Sequence, residues 1–169
     1  EETVRTLDDL VRQGKVRYVG LSNFMSWQAA TAVMLQTHLG LDRFVTAQMH
    51  YSLVGRGLEY EFQSFAQYHR IGILVWSPLA GGFLSGKFTR DSGDDTARRA
   101  KFDFPPVNKE KGFGILDALG PIAKAHGATV PQVALAWILA NPAVTSVIIG
   151  ARKIAQLDDN LKAVDVALT

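Results

Sequence analysis

Four short apolar runs, at residues 16–21, 44–49, 71–76 and 144–149, are each separated from the next by about 20 to 70 residues. The tight turn that joins antiparallel neighbours needs only a handful of residues, so none of these runs pairs through a hairpin. Each run is rich in Val, Ile, Leu or aromatic residues, as a strand covered on both faces requires. The segments between them have helical spacing. Val4, Leu7, Leu10 and Val11 mark a helix over 2–13, before a helix-ending Gly14. Ser26 is placed to cap a helix over 26–38, and Phe62, Phe65 and Ala66 share one face of a helix over 58–69. Further helices are expected over 112–126, 129–140 and 153–166. The second of these opens with Thr129-Val130-Pro131-Gln132, the form of a capping box with proline in the first turn. Strand and helix alternate, which predicts an α/β fold of parallel βα units with right-handed crossovers and helices on one side. Residues 86–111 are polar, with Gly, Ser and two prolines. They predict a long loop inserted into a single domain spanning 1–169, because the alternation resumes after them.

Composition matters mainly for what it excludes. No apolar run reaches the roughly 18 residues of a membrane-spanning helix. A net charge of +2 is too small for a nucleic-acid surface. With no cysteine there is no disulfide framework or thiolate metal site, and His38, His50, His69 and His126 form no ligand-spaced pair, so no metal is expected. A cytoplasmic setting fits. The chain opens on Glu1-Glu2-Thr3, inside a helix-spaced segment and without methionine, so a partial chain is expected.

In parallel βα architectures ligands gather at the carboxyl ends of the strands. Here those ends carry Ser22-Asn23-Phe24, then Gln48 with His50 and Tyr51, then Trp76-Ser77-Pro78-Leu79-Ala80-Gly81-Gly82, then Gly150-Ala151-Arg152-Lys153. Each has a plain structural reading. Ser-Asn after a strand is ordinary turn chemistry; Trp76 suits a core; Gly81-Gly82 suits a turn; the histidines suit the surface or a satisfied core. Lys87, Arg90, Arg98 and Arg99 suit solvated loop positions. Gln48 is harder to explain, because an amide in a buried strand needs partners. The joint placement after four successive strands favours a ligand site.

Those segments resemble the aldo-keto reductase family. Residues 14–24 (Gly-Lys-Val-Arg-Tyr-Val-Gly-Leu-Ser-Asn-Phe) are similar to the family's approach to barrel strand five, and residues 47–53 to strand six. Residues 75–88 resemble strand seven and its cofactor loop, and residues 146–160 strand eight and the adenosine-phosphate loop. The Trp-Ser-Pro-Leu-Ala form of 76–80 is similar to bacterial members and the potassium-channel β-subunit-like branch. The resemblance implies the C-terminal half, strands five to eight, of a (β/α)8 TIM barrel that reduces aldehydes and ketones with NADPH. It implies that Ser22, Asn23 and Gln48 bond the nicotinamide carboxamide and that Trp76 stacks on its ring. Ser77, Leu79, Gly81 and Lys87, with Pro78 in the same loop, would hold the pyrophosphate. Gly150, Arg152, Gln156, Asp159 and Asn160 would hold the adenosine half, with Ile149 standing where the family has proline. The family's catalytic Asp, Tyr, Lys and His belong to the first four strands, so this chain is expected to carry no catalytic residue; His50 and Tyr51 do not match those positions. The implied partners are a small carbonyl substrate and either the missing N-terminal half or a second copy at the open strand edges. The competing class is a non-enzymatic NADP(H)-binding regulatory module resembling channel β subunits. A generic βα domain without cofactor would follow if Trp76 and Gln48 proved buried in core.

Overall fold

Four parallel strands lie side by side in chain order, β1 (Val19–Ser22), β2 (Phe44–His50), β3 (Gly72–Trp76) and β4 (Val144–Val147). They belong to a computed structural model that describes residues 1–90 and 102–168. Between them run α1 (Glu2–Arg12), α2 (Ser26–Leu39), α3 (Phe62–His69), α4 (Lys109–Ala125), α5 (Val130–Leu139) and α6 (Ile154–Leu161), with short 3-10 turns at Gly57–Tyr60, Ala80–Ser85 and Lys162–Asp165. Parallel strands alternating with helices are what a section of a (β/α)8 barrel consists of. Residues 91–101, with Arg98 and Arg99, lie outside the described residues.

Where the elements depart from their expected bounds, local contacts explain it. The first strand begins at Val19, not residue 16, because the amides of Lys15 and Val16 donate to the Leu10 carbonyl and keep that stretch on the end of α1. The helix expected over 58–69 is broken at Glu61, whose φ of −147° and ψ of −48° are not helical. The helix expected from residue 112 begins at Lys109, since the Asn108 side chain caps it by accepting from the Lys111 amide. Met25, not Ser26, takes the cap position of α2, where its amide donates to the Gln28 side chain. The last helix ends at Leu161 and tightens into a 3-10 turn. The capping box at 129–132 forms as read: the Gln132 amide donates to the Thr129 hydroxyl, and the Thr129 amide donates to the Gln132 side chain.

One face of the sheet is sealed. Leu21, Ala47, Ile73 and Val75 pack against Ala29 and Val33 of α2, Phe62 and Ala66 of α3, and Ile138 of α5. Ile73 and Ile138 are 0% exposed, and burying each contributes roughly 1.5–3 kcal/mol. A second cluster joins Phe83 and Leu84 to Leu119 of α4 and Val133 of α5. Two buried polar side chains tie down the entry to β2. Asp8 accepts from the Asp42 amide at 2.7 Å, and Gln36 both donates to the Asp42 carbonyl and accepts from the Phe44 amide.

The other face is open, which corrects the expectation of strands covered on both sides. Gly20, Ser22 and Gln48 are exposed, and Thr46, Leu74 and Trp76 are half-buried. Gln48 is therefore not the buried amide its strand suggested: it alternates with Ala47, which is 0% exposed and faces the helices. Backbones come close on this open face. A Cβ at Gly20 would stand 2.8 Å from the Thr46 carbonyl oxygen, so only glycine fits there.

Candidate nucleotide-binding face

Register brings the strand ends together. Ser22 pairs with Gln48, Gln48 with Leu74, and His50 with Trp76. Side chains of matched positions in neighbouring strands share a face, so Ser22, Gln48, His50 and Trp76 stand along the carboxyl-end rim of the open side.

Two residues on this rim hold unusual backbone conformations. Asn23, just past β1, has φ 55°, and Ser77, just past β3, has φ 52°. Asparagine visits this left-handed region more easily than serine, and such conformations cost on the order of 1–3 kcal/mol unless the surroundings impose them. Here they are imposed. The Asn23 amide donates to the Gln48 carbonyl, and its side-chain Oδ1 accepts from Trp76 Nε1 at 2.8 Å. That bond fixes the Asn23 amide plane and directs its NH2 donors elsewhere. Ser77 Oγ accepts from the Gly81 amide at 2.9 Å, and the Ala80 amide donates to the Ser77 carbonyl. Ser77 and Gly81, both assigned to the pyrophosphate, thus bond each other and shape the loop. Pro78 is buried beneath this loop, Leu79 is half-buried, and Lys87 is exposed just beyond it. Gly82 has φ 94°, a conformation closed to other residues.

The Trp76 indole is flanked by two rings. His50 is tilted by 40° at 4.8 Å, and Phe104, from the segment before α4, lies nearly parallel at 12° and 5.8 Å. His50 Nε2 is buried with no hydrogen-bond partner among the described residues. Burial lowers the His50 pKa, so the ring is neutral near pH 7. A cleft of about 470 Å³ opens beside it, between Asn23, Trp27 and Tyr60. The sequence places His50 among the strand-end residues but gives it no role, and it does not single out Phe104. The signal available for Phe104 was the pairing of Phe102 and Phe104 with two prolines inside an otherwise polar loop.

At the fourth strand, Gly150, Arg152 and Lys153 are exposed. The Gln156 side chain caps this helix start, accepting from the Arg152 amide at 2.9 Å and the Lys153 amide at 3.2 Å. Asp159 faces inward: its carboxylate accepts from the Thr129 hydroxyl at 3.0 Å and the Gln132 side chain at 2.8 Å. Asn160 is 9% exposed. The structure therefore brings Ser22, Asn23, Gln48 and Trp76 together, keeps Gly150 and Arg152 exposed with Gln156 half-buried beside them, and engages Asp159 between α6 and α5.

Tyr51 lies apart from the rim chemistry. It is 1% exposed, its hydroxyl donates to Glu59 at 2.6 Å and accepts from Asn141 at 3.2 Å, and burial with the Glu59 bond pushes its pKa up to about 12. Such a phenol is a poor proton donor near neutrality. Among the described residues there is no group of three or more His, Cys, Asp or Glu side chains able to hold a metal, and no helix long and apolar enough to cross a membrane.

Residues 1–169 match the family described as the Aldo/keto reductase family. The chain is 38% identical over 169 residues to an uncharacterized oxidoreductase, YrpG, of Bacillus subtilis, covering 99% of this chain and 50% of that protein. It is 35% identical over 171 residues to a probable voltage-gated potassium channel subunit beta of Arabidopsis thaliana, covering 98% and 52%. It is 32% identical over 167 residues to aldo-keto reductase dtxS3 of Metarhizium robertsii, covering 96% and 44%. The chain spans about half the length of these curated relatives.

Proposed function

The chain belongs to the aldo/keto reductase family, and from that premise we propose that it is the NADPH-holding half of an oxidoreductase that reduces aldehydes and ketones. The observation that carries this reading is the Ser22–Gln48 register pair beside the Asn23–Trp76 hydrogen bond. The residues present fit a nicotinamide. A hydroxyl and two amides supply the donors and acceptors that a carboxamide needs, and a flat indole stands next to them. The chemistry supplied by the bound cofactor is hydride transfer to a carbonyl carbon.

The work of this chain is to bind and orient. Ser22, Gln48 and the Asn23 amide hold the carboxamide, and Trp76 fixes which face of the ring is presented. The loop at 77–87 takes the pyrophosphate through backbone amides and Lys87. Arg152, at the start of α6, takes the 2′-phosphate with a planar fork that suits phosphate oxygens, helped by the positive end of the helix. Gln156 supports that turn from within. The proton donor comes from a second half carrying the family's Asp, Tyr, Lys and His. The family resemblance supports this, as does the engagement of Tyr51 inside the protein.

The test is titration of the full-length protein with NADPH and NADH. NADPH is expected to bind tighter by on the order of tenfold to a hundredfold, the value of a charge-assisted hydrogen bond, and Arg152→Ala is expected to erase most of that preference. Trp76→Ala is expected to weaken both cofactors by at least about fivefold. Equal affinities for the two cofactors in the wild type would refute the NADPH assignment.

A further inference from the structure

The hydrogen bond from Trp76 Nε1 to Asn23 pins one edge of the indole. Such a bond tolerates considerable misalignment before it weakens, so alone it leaves the tilt of the ring open. The side chain in register beside Trp76 is His50, whose ring lies 4.8 Å from the indole and 40° from parallel. His50 is itself held. A Cβ on Gly55 would stand 2.5 Å from His50 Cε1 and 3.3 Å from each ring nitrogen, so the Gly55 backbone closes on the Cε1 edge of the imidazole. Gly55 is a fixed wall, because the turn that carries it is tied at both ends. The Gly55 amide donates to the Ser52 carbonyl at 3.0 Å, and the Ser52 amide donates to the Gly55 carbonyl at 3.2 Å. Before the turn, buried Tyr51 donates to Glu59. After it, Arg56 bonds both Glu59 oxygens and lies over the Trp137 ring. His50 Nε2 gains nothing from this placement, being buried without a partner among the described residues. Burying a polar atom unpaired is unfavourable, so bonding at that atom does not account for His50, whereas the contacts of its ring do.

We propose that His50 is a positioning residue for the cofactor: braced by Gly55, it sets the tilt at which the Trp76 indole meets the nicotinamide ring. The inference rests on the reading of Trp76 as the nicotinamide platform and adds the residue that orients it. Contact between flat rings depends on offset and tilt, because each ring presents a negative face and a positive edge. A change of tilt therefore lowers affinity without removing the platform.

His50→Ala and Gly55→Ala test this in the full-length protein, each alone and in the Trp76→Ala background, with titrations that follow NADPH emission. Gly55 is not among the glycines with positive φ, so its backbone accepts alanine and the added methyl acts on the imidazole. Each single variant is expected to weaken NADPH about threefold to tenfold while Trp76 is present, and by less than about twofold once Trp76 is alanine. In the cofactor-free protein, the Trp76 indole N–H signal of a proton–nitrogen correlation spectrum, assigned by its loss in Trp76→Ala, is expected to shift in both variants. Equal losses of affinity in both backgrounds would mean that the substitutions act on the fold at large, and an unmoved indole signal or unchanged affinity in the single variants would mean that the indole needs no brace. Any of these overturns the proposal and leaves the platform standing. If Trp76→Ala by itself leaves NADPH affinity unchanged, the platform reading falls and the brace falls with it.

Discussion

At the scale of single residues, burial decides which ionisable groups are available for chemistry. Tyr51 has its ring in the core and its hydroxyl between Glu59 and Asn141. In an unfolded chain a tyrosine titrates near ~10, whereas in this fold Tyr51 is pushed up to about 12. A pKa raised by folding contributes stability that is complete below the unfolded value and is lost as the pH rises towards the folded one. Thermal unfolding followed against pH is therefore expected to show a fall in stability between about pH 10 and 12. Tyr51→Phe is expected to be less stable at neutral pH, because it removes the hydroxyl's bonds to Glu59 and Asn141 and leaves them only Arg56 and Gln63 as side-chain partners, but to lose less in that alkaline window. An identical alkaline loss in the variant would assign the titration to another group.

At the scale of elements, what was legible in the sequence was what is decided locally. The box at 129–132 caps its own helix with its own side chains, and it forms as read. The start of β1 was not legible, because it depends on the Leu10 carbonyl capturing the amides of Lys15 and Val16. Trp76, Ser22, Asn23 and Gln48 were legible as a group since each directly follows or ends a strand. Phe104 was not, as nothing in its neighbourhood states that the loop returns to β3. Asp159 was assigned by resemblance to the adenosine half, and its contacts give it a second task that no spacing reveals. It joins α6 to the capped start of α5, and removing a charged acceptor from two such bonds costs on the order of 1–3 kcal/mol. Asp159→Ala is expected to lower the melting temperature by several degrees. If the carboxylate serves this joint alone, NADPH affinity stays within about twofold of wild type; a larger loss with little change in melting temperature would return Asp159 to the cofactor.

The whole molecule is a sheet finished on one side. Helices seal the face bearing Ile73 and Val75, while on the other face Ser22 and Gln48 are exposed and Phe104 stacks on Trp76, and β1 and β4 are the edges of the four-stranded sheet. Unpaired strand edges are ready templates for further pairing, so this chain expressed alone is expected to self-associate, and, on the proposed function, to show no carbonyl reduction above background, because the proposal draws the proton donor from the other half. Light scattering with a steady-state assay on an aromatic aldehyde checks both. A stable monomer would refute the first expectation, and turnover that is lost in His50→Ala would refute the second.

The pairing of Ser22 with Gln48 has a consequence beyond binding. Side chains in a strand alternate, so a one-residue slip of β1 would send Ser22 into the apolar side and bring Leu21 out, and a slip of β2 would do the same to Gln48 and Ala47. The native register alone presents a hydroxyl and an amide at the rim together. A ligand that requires both binds one alignment and ignores its neighbour, and mass action then enriches the alignment it binds. A small molecule bound across the two strands, as proposed, would thereby select how the chain is threaded as well as what it holds.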